Sequence, residues 1–409
     1  MKKYIYISLV SIVLLLGIGC GDNTTNKAEI AIENASWNEI VAHGKGETVT
    51  MMMWMGDPKI NGYMQNYIAP LVLREHQIKL EFVSGQGGTI VQLLANEKQA
   101  NREESDVDLV WINGETFYQL RQLQALYGPW TAKVPNAAFI DFENPFIGTD
   151  FQQPISGFEM PWGNVQMTII YNSQKIVSPP MNREELRRFV QTNPGKFTFD
   201  NHFTGLTFLK ALFIDIAGGQ EAVSGDFDEE VYIKYSSLLW EYIKEIQPYL
   251  WREGTVFPEN VAQMHQLFGS GELWFTMSNN DAEVDSKVEA GIFPTTSRAY
   301  VPDFGSIQNS HYIGITSNSS HKAAAMLVAN TLISPEAQVL KMNPKVWGDG
   351  TVLHTPSLNS AMQTNFEHIP SRKYAPLRKN IAPKALQELA PEYMIRLAAD
   401  FNTKIIHNN

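Results

Sequence analysis

The chain has 409 residues, of which 44% are hydrophobic and 18% charged, and carries a net charge of −11. That length suits two domains rather than one, and an acidic chain without a basic face argues against a nucleic-acid partner. A single cysteine, Cys20, excludes an intrachain disulfide.

Residues 1–20, MKKYIYISLVSIVLLLGIGC, run from two lysines through an apolar stretch to small residues and Cys20. This is the layout of an export signal, too short and wrongly flanked for a permanent span. Cys20 after LGIG resembles the lipobox of bacterial lipoproteins, in which the cysteine is acylated, although Gly17 stands where Leu is usual. Residues 21–33 then read as a polar tether, and Ser36 with Glu39 as a capping box that opens a short helix.

From residue 48 strand and helix alternate. TVTMMMWM (48–55) is predicted as a strand, 60–76 as a helix, IKLEFVS (78–84) as a strand and 87–101 as a helix. DVDLVWI (106–112) is a third strand, with a helix from Glu115. Strands spaced by such helices imply a mostly parallel sheet, whose ligands gather beyond the carboxyl ends of its strands. Trp54 with Asp57, and Trp111 with Asn113, stand at two such ends. A Pro- and Gly-rich passage (128–163) reads as a hinge before the strand VQMTIIYN (165–172). Helices are then predicted over 182–193, 204–217, 228–247 and 259–270, and strands over 272–278, 288–294 and 311–317. A helical segment follows from His321, Pro335 starts another, and the C-terminal stretch reads as mainly helical.

The signal, the lipobox-like cysteine and this α/β pattern resemble a bacterial solute-binding protein of an ABC importer. MWMGDPKINGYMQNYIAP, DVDLVWINGETF, LYGPW, FTFDNHFTGLTFLKALF and WGDGTVL look like the YnjB-type branch of extracellular solute-binding proteins, over residues 37 to 390. The resemblance implies an α/β type II periplasmic-binding-protein fold, with two lobes around a hinged cleft that holds a small solute for an ABC permease. It suggests one lobe from 47–157 with 306–345, a second from 158–305, and a mainly helical segment, 346–409, packed on both. A monomer, lipid-anchored at Cys20 outside the cytoplasm and without a cofactor, is the expected form. His202 departs from the acidic residue expected before Phe203-Thr204-Gly205, so that position receives no role.

A binding cleft wants rigid aromatic walls and a few fixed polar groups. Trp54 and Trp111 offer walls, Asn113 a donor and an acceptor, and Asp57 and Glu115 charge. Asp57 and Asn113 could instead cap the helices that follow them, and Glu115 could simply favour a helix dipole. From the second lobe come Trp162 at the hinge, Thr204 at a helix start, and Asn280 and Asp281 just past a strand. Aromatic faces with carboxylates favour an organic cation such as thiamine or a polyamine. The amides of SGQGGT (84–89), at a helix start, favour an oxyanion or a phosphorylated solute instead. No catalytic or metal-binding spacing appears among the nine histidines and no nucleophile elbow is present. A secreted enzyme such as a hydrolase is the alternative class.

Overall fold

A computed structural model describes residues 31–406; the signal-like segment, Cys20 and nearly all of the predicted tether lie outside the described residues. The capping box forms: Ser36 accepts from the Glu39 amide while Glu39 reaches back to Ser36, opening α1 (Trp37–Gly44).

The first sheet contains β1 (Thr48–Met53), β2 (Lys79–Ser84), β3 (Leu109–Ile112), β4 (Glu159–Gln166), β8 (Ser306–Ile315) and the short β9 (Ala385–Leu386). Its order is β9-β8-β3-β1-β2, with β4 also paired to β8. β1 runs parallel to β2 and β3, and β8 antiparallel to β3. From Met51 to Met53 β1 is apolar and buried, as a parallel strand covered on both faces requires. Val49, Met51 and Met53 enter one core and Met52 the core on the opposite face. Connecting β1 to β2 is α2 (Pro58–Tyr63), continued through a π turn to His76; α3 (Gly88–Gln99) leads to β3, and α4 (Gly114–Gln122) follows it.

The second sheet is β6-β5-β7, all antiparallel, from β5 (Thr168–Asn172), β6 (Phe275–Ser278) and β7 (Ser297–Tyr300). It sits with α5 (Phe203–Ala217) and α6 (Glu283–Glu289), which follows β6. The predicted strand 165–172 is two strands, broken at Met167, where the chain changes sheet. The β4–β8 ribbon joins the two halves: Ile313, Ile315, Met160 and Trp162 belong to the first core, Ile307 and Met167 to the second. Residues 288–294, expected as a strand, instead end α6 and turn. Val284 and Val288 lie one helical turn apart and pack on the same small core as Phe293, which follows the helix end.

α7 (Lys322–Leu332) is buried in the first core, and α8 (Pro335–Met342) carries Pro335 at its start. The C-terminal stretch is mainly helical, with helices over Ser360–Glu367 and Arg378–Ile381, and adds the two-residue β9 before α9 (Pro391–Phe401), which packs into the second core through Tyr393, Leu397 and Phe401. Among the described residues no single helix is long and apolar enough to cross a membrane.

Candidate functional site

The end of β1 faces α6. Asp57 caps α2, accepting from the amides of Lys59 at 2.7 Å and Ile60 at 3.3 Å. Its other oxygen pairs with Lys287 of α6, and Lys287 also meets Glu283 at 3.3 Å. Burial by itself pushes Asp57 up and Lys287 down. Their mutual charge, with Glu283 beside Lys287, overrides this, so Asp57 lies below and Lys287 above its ordinary value. The two lobes are therefore bridged by a buried ion pair. Nearby, Asn280 accepts from the Ala282 amide at 3.0 Å and donates to the Gly348 carbonyl at 3.2 Å.

Asp281 is fully buried and engaged on three sides. It accepts from the Gln166 amide at 3.0 Å and pairs with Arg372 and Arg378. Thr204, at the start of α5, accepts from Asn279 at 2.9 Å. Lys59 points back to the Pro344 carbonyl, 2.7 Å away.

The aromatic wall is larger than the sequence suggested. Trp111 meets Trp162 edge-on, with ring centres 4.9 Å apart, and Trp347 lies 6.0 Å from Trp111 and 5.4 Å from Trp162. His311 stacks on Trp347 at 5.9 Å. Beneath the rings the buried Lys341 donates to the Trp162 carbonyl, to Gly350 O at 2.8 Å and to Asp349 at 2.8 Å. His311 Nε2 lies 2.9 Å from the same Asp349 oxygen. Burial pushes Asp349 up, but His311 and Lys341 hold it at about 2. This network fixes the backbone of Trp162 and the loop after Trp347.

Trp162 is itself fully buried, with Nε1 unpartnered. Trp54 and Trp111 remain partly exposed. The Trp54 indole folds across Gly56, where an added Cβ would come within 2.7 Å of the ring. Asn113 occupies the N-cap position of α4, yet its side chain makes no cap bond and is left for another partner. Glu115, in the first turn of α4, has a buried Oε2 without a partner. Burial pushes it up to about 7. Of the nine predicted positions, Trp54, Trp111, Asn113 and Glu115 therefore present free surface or free polar atoms, and Trp162 is buried with only its Nε1 free. Asp57, Thr204, Asn280 and Asp281 already hold internal partners. Sequence reasoning missed Lys287, His311, Lys341 and Trp347. Only the WGDG stretch gave a local signal there; Lys287 meets a partner 230 residues away.

Two α/β lobes joined by crossing strands, with aromatic and polar groups gathered at the strand ends between them, define a two-lobed binding protein of the type II periplasmic fold. Residues 72–367 match the family model for bacterial extracellular solute-binding proteins, and the chain belongs to that family. Protein YnjB of Escherichia coli K12 is 33% identical over 342 residues, which cover 83% of this chain and 88% of that protein. The solved periplasmic binding protein AfuA from Actinobacillus pleuropneumoniae, with fructose-6-phosphate bound, has a TM-score of 0.62 at 14% identity, over 88% of this chain and 98% of that one. The spermidine/putrescine binding protein PotD of Streptococcus pneumoniae has a TM-score of 0.60 at 11% identity, over 88% and 98%. The chain is thus a bacterial extracellular solute-binding protein.

Proposed function

We propose that the chain captures a small organic cation between its lobes and presents the closed form to an ABC importer, without turning the solute over. The observation that carries the charge assignment is the unpartnered, buried Oε2 of Glu115, close to the glycine turn before α3 and four residues past the Trp111 wall. Asp57 and Asp281, whose charges are met by Lys287 and by Arg372 and Arg378, do not support it. Trp54 and Trp111 supply ring faces that attract a cation.

Mass spectrometry of solute released from freshly purified protein tests this directly. For a recovered cation, Glu115→Gln is expected to weaken binding by about 1.5–3 kcal/mol, the range for a hydrogen bond to a charged group. Trp111→Ala should cost about 1–3 kcal/mol through the lost aromatic contact. Glu115 sits at about 7, so a cation must displace its proton, and affinity should fall as pH drops below that value. A pH-independent affinity, or recovery of an anion, would remove the cation assignment.

A second reading rests on α3. Gly87 caps it without a side-chain bond, and the space around the Gly88 Cα is open, so its first amides suit a phosphorylated solute. Inorganic phosphate competing with the recovered solute would favour that reading.

The mature protein, on this proposal, is a monomer tethered by an acylated Cys20. Cys20→Ser should move it from the membrane fraction to the soluble fraction or leave the precursor uncut. A lipid-free N-terminus beyond residue 20 would exclude the anchor.

A further inference from the structure

Away from the aromatic wall, a group of carboxylates is buried where the two lobes and the crossing strands meet. Asp150 lies in a two-strand turn against residues 153–154, and Glu159 opens β4 opposite Gly314 of β8. Glu159 is 0% and Asp150 2% exposed. Both oxygens of Glu159 and Oδ2 of Asp150 lack a hydrogen-bond partner. Asp150 accepts from the Gly114 amide at the start of α4, where a Cβ would overlap the Phe151 ring.

The charged and titratable groups that face them come from every neighbouring element. α5 brings Lys210, but its ammonium is bound to Glu388, which follows β9. The second oxygen of Glu388 accepts from Asn309 at 2.9 Å. α4 brings Glu115, another unpartnered carboxylate, and Arg121, whose guanidinium lies 3.3 Å from the centre of the Phe158 ring and acts on Glu159 only through space. Tyr312 of β8 donates its hydroxyl away, to the carbonyls of Ile147 at 2.9 Å and Thr149 at 3.0 Å. One buried ammonium is therefore already matched by one carboxylate, and Glu159 and Asp150 Oδ2 are left without a counter-charge in contact.

An unpaired ionised carboxylate in such a place takes up a proton rather than bear the loss of hydration. The void beside Asp150 and Glu388 measures about 10 Å³, no larger than one water. Among the described residues no three acidic or histidine side chains converge as metal ligands. We propose that Asp150 and Glu159 form a proton-binding site at the junction of the lobes, protonated at neutral pH when the lobes are together, so that acidification favours this arrangement.

Burial, followed by the neighbouring carboxylates, pushes both groups well above the ordinary carboxylate range. Raised carboxylates contribute stability that is complete below their unfolded value and is lost as pH rises through the folded one. The dependence thus runs opposite to that of an ion-paired aspartate. It needs no bound solute, so it stands or falls separately from the cation assignment.

Infrared difference spectroscopy of the ligand-free full chain at neutral pH should show a protonated-carboxyl C=O stretch that weakens in Asp150→Asn and in Glu159→Gln. The wild-type melting temperature should fall by several degrees between about pH 5.5 and about pH 8, while the double amide variant keeps only the smaller slope that Glu115 contributes and melts higher at the upper pH. Absence of the protonated-carboxyl band in the wild type would overturn the proposal, whether or not the variants fold. A double variant with the same pH slope as wild type would do so too.

Discussion

Lys287→Met is expected to weaken solute binding by about 3 kcal/mol, roughly 150-fold, without removing any assigned solute contact. With the lobes apart, water solvates both Asp57 and Lys287. Closure buries them together, and each then offsets the cost of burying the other. When Lys287 is removed, closing the cleft must bury Asp57 without its counter-charge, and the equilibrium shifts toward the open form. The amides of Lys59 and Ile60 still solvate one Asp57 oxygen, which places the effect at the low end of the range for breaking a buried pair. The double variant Asp57→Asn/Lys287→Met should recover most of the lost affinity, because a neutral Asn can keep the cap. Calorimetric titration with the recovered solute, together with the radius of gyration with and without it, measures both effects. If Asp57 contacts a cationic solute directly, the double variant will stay as weak as the single ones, and the bridge between the lobes loses its role.

Asp281→Asn is expected to lower stability by about 3 kcal/mol while leaving the solute affinity of the folded fraction unchanged. The carboxylate joins Gln166 at the end of β4 to Arg372 and Arg378 of the C-terminal stretch. Asn retains an acceptor for the Gln166 amide but leaves two guanidinium groups without their carboxylate. Both arginines reach solvent, which keeps the loss at the lower end of the range. Burial raises Asp281, but Arg378 and Arg372 pull it below its ordinary value. Its contribution is therefore complete above the unfolded pKa of 3.8 and is lost as pH falls through the depressed value. Asp349, held at about 2, adds to the same acid-side loss. Thermal denaturation across the acid range should show a shallower decline in Asp281→Asn than in wild type. A variant with native stability and a large affinity loss would instead place Asp281 in contact with the solute.

Local chemistry was legible in the sequence. Ser36 and Glu39 sit at the spacing a capping box needs, Pro58 follows a capping Asp57, and Pro335 occupies a first helical turn; each depends on residues within a few positions of one another. The strands expected at 48–55 and 106–112 form, shorter, as the parallel pair β1 and β3, and with them the ends where Trp54, Trp111, Asn113 and Glu115 stand. What the sequence alone left open was which polar groups remain available. Asp57 and Asp281 look as free as Glu115 in one dimension, because charge type and position after a strand are the same for all three. Tertiary packing decided between them: α6 brought Lys287 to Asp57, the C-terminal stretch brought two arginines to Asp281, and Glu115 met only Lys210, already bound to Glu388. Packing likewise buried Trp162 and recruited His311, Lys341 and Trp347 behind Trp111. Hydrophobic period and caps are set by neighbours along the chain, whereas the counter-charge of a buried carboxylate comes from wherever the fold places one.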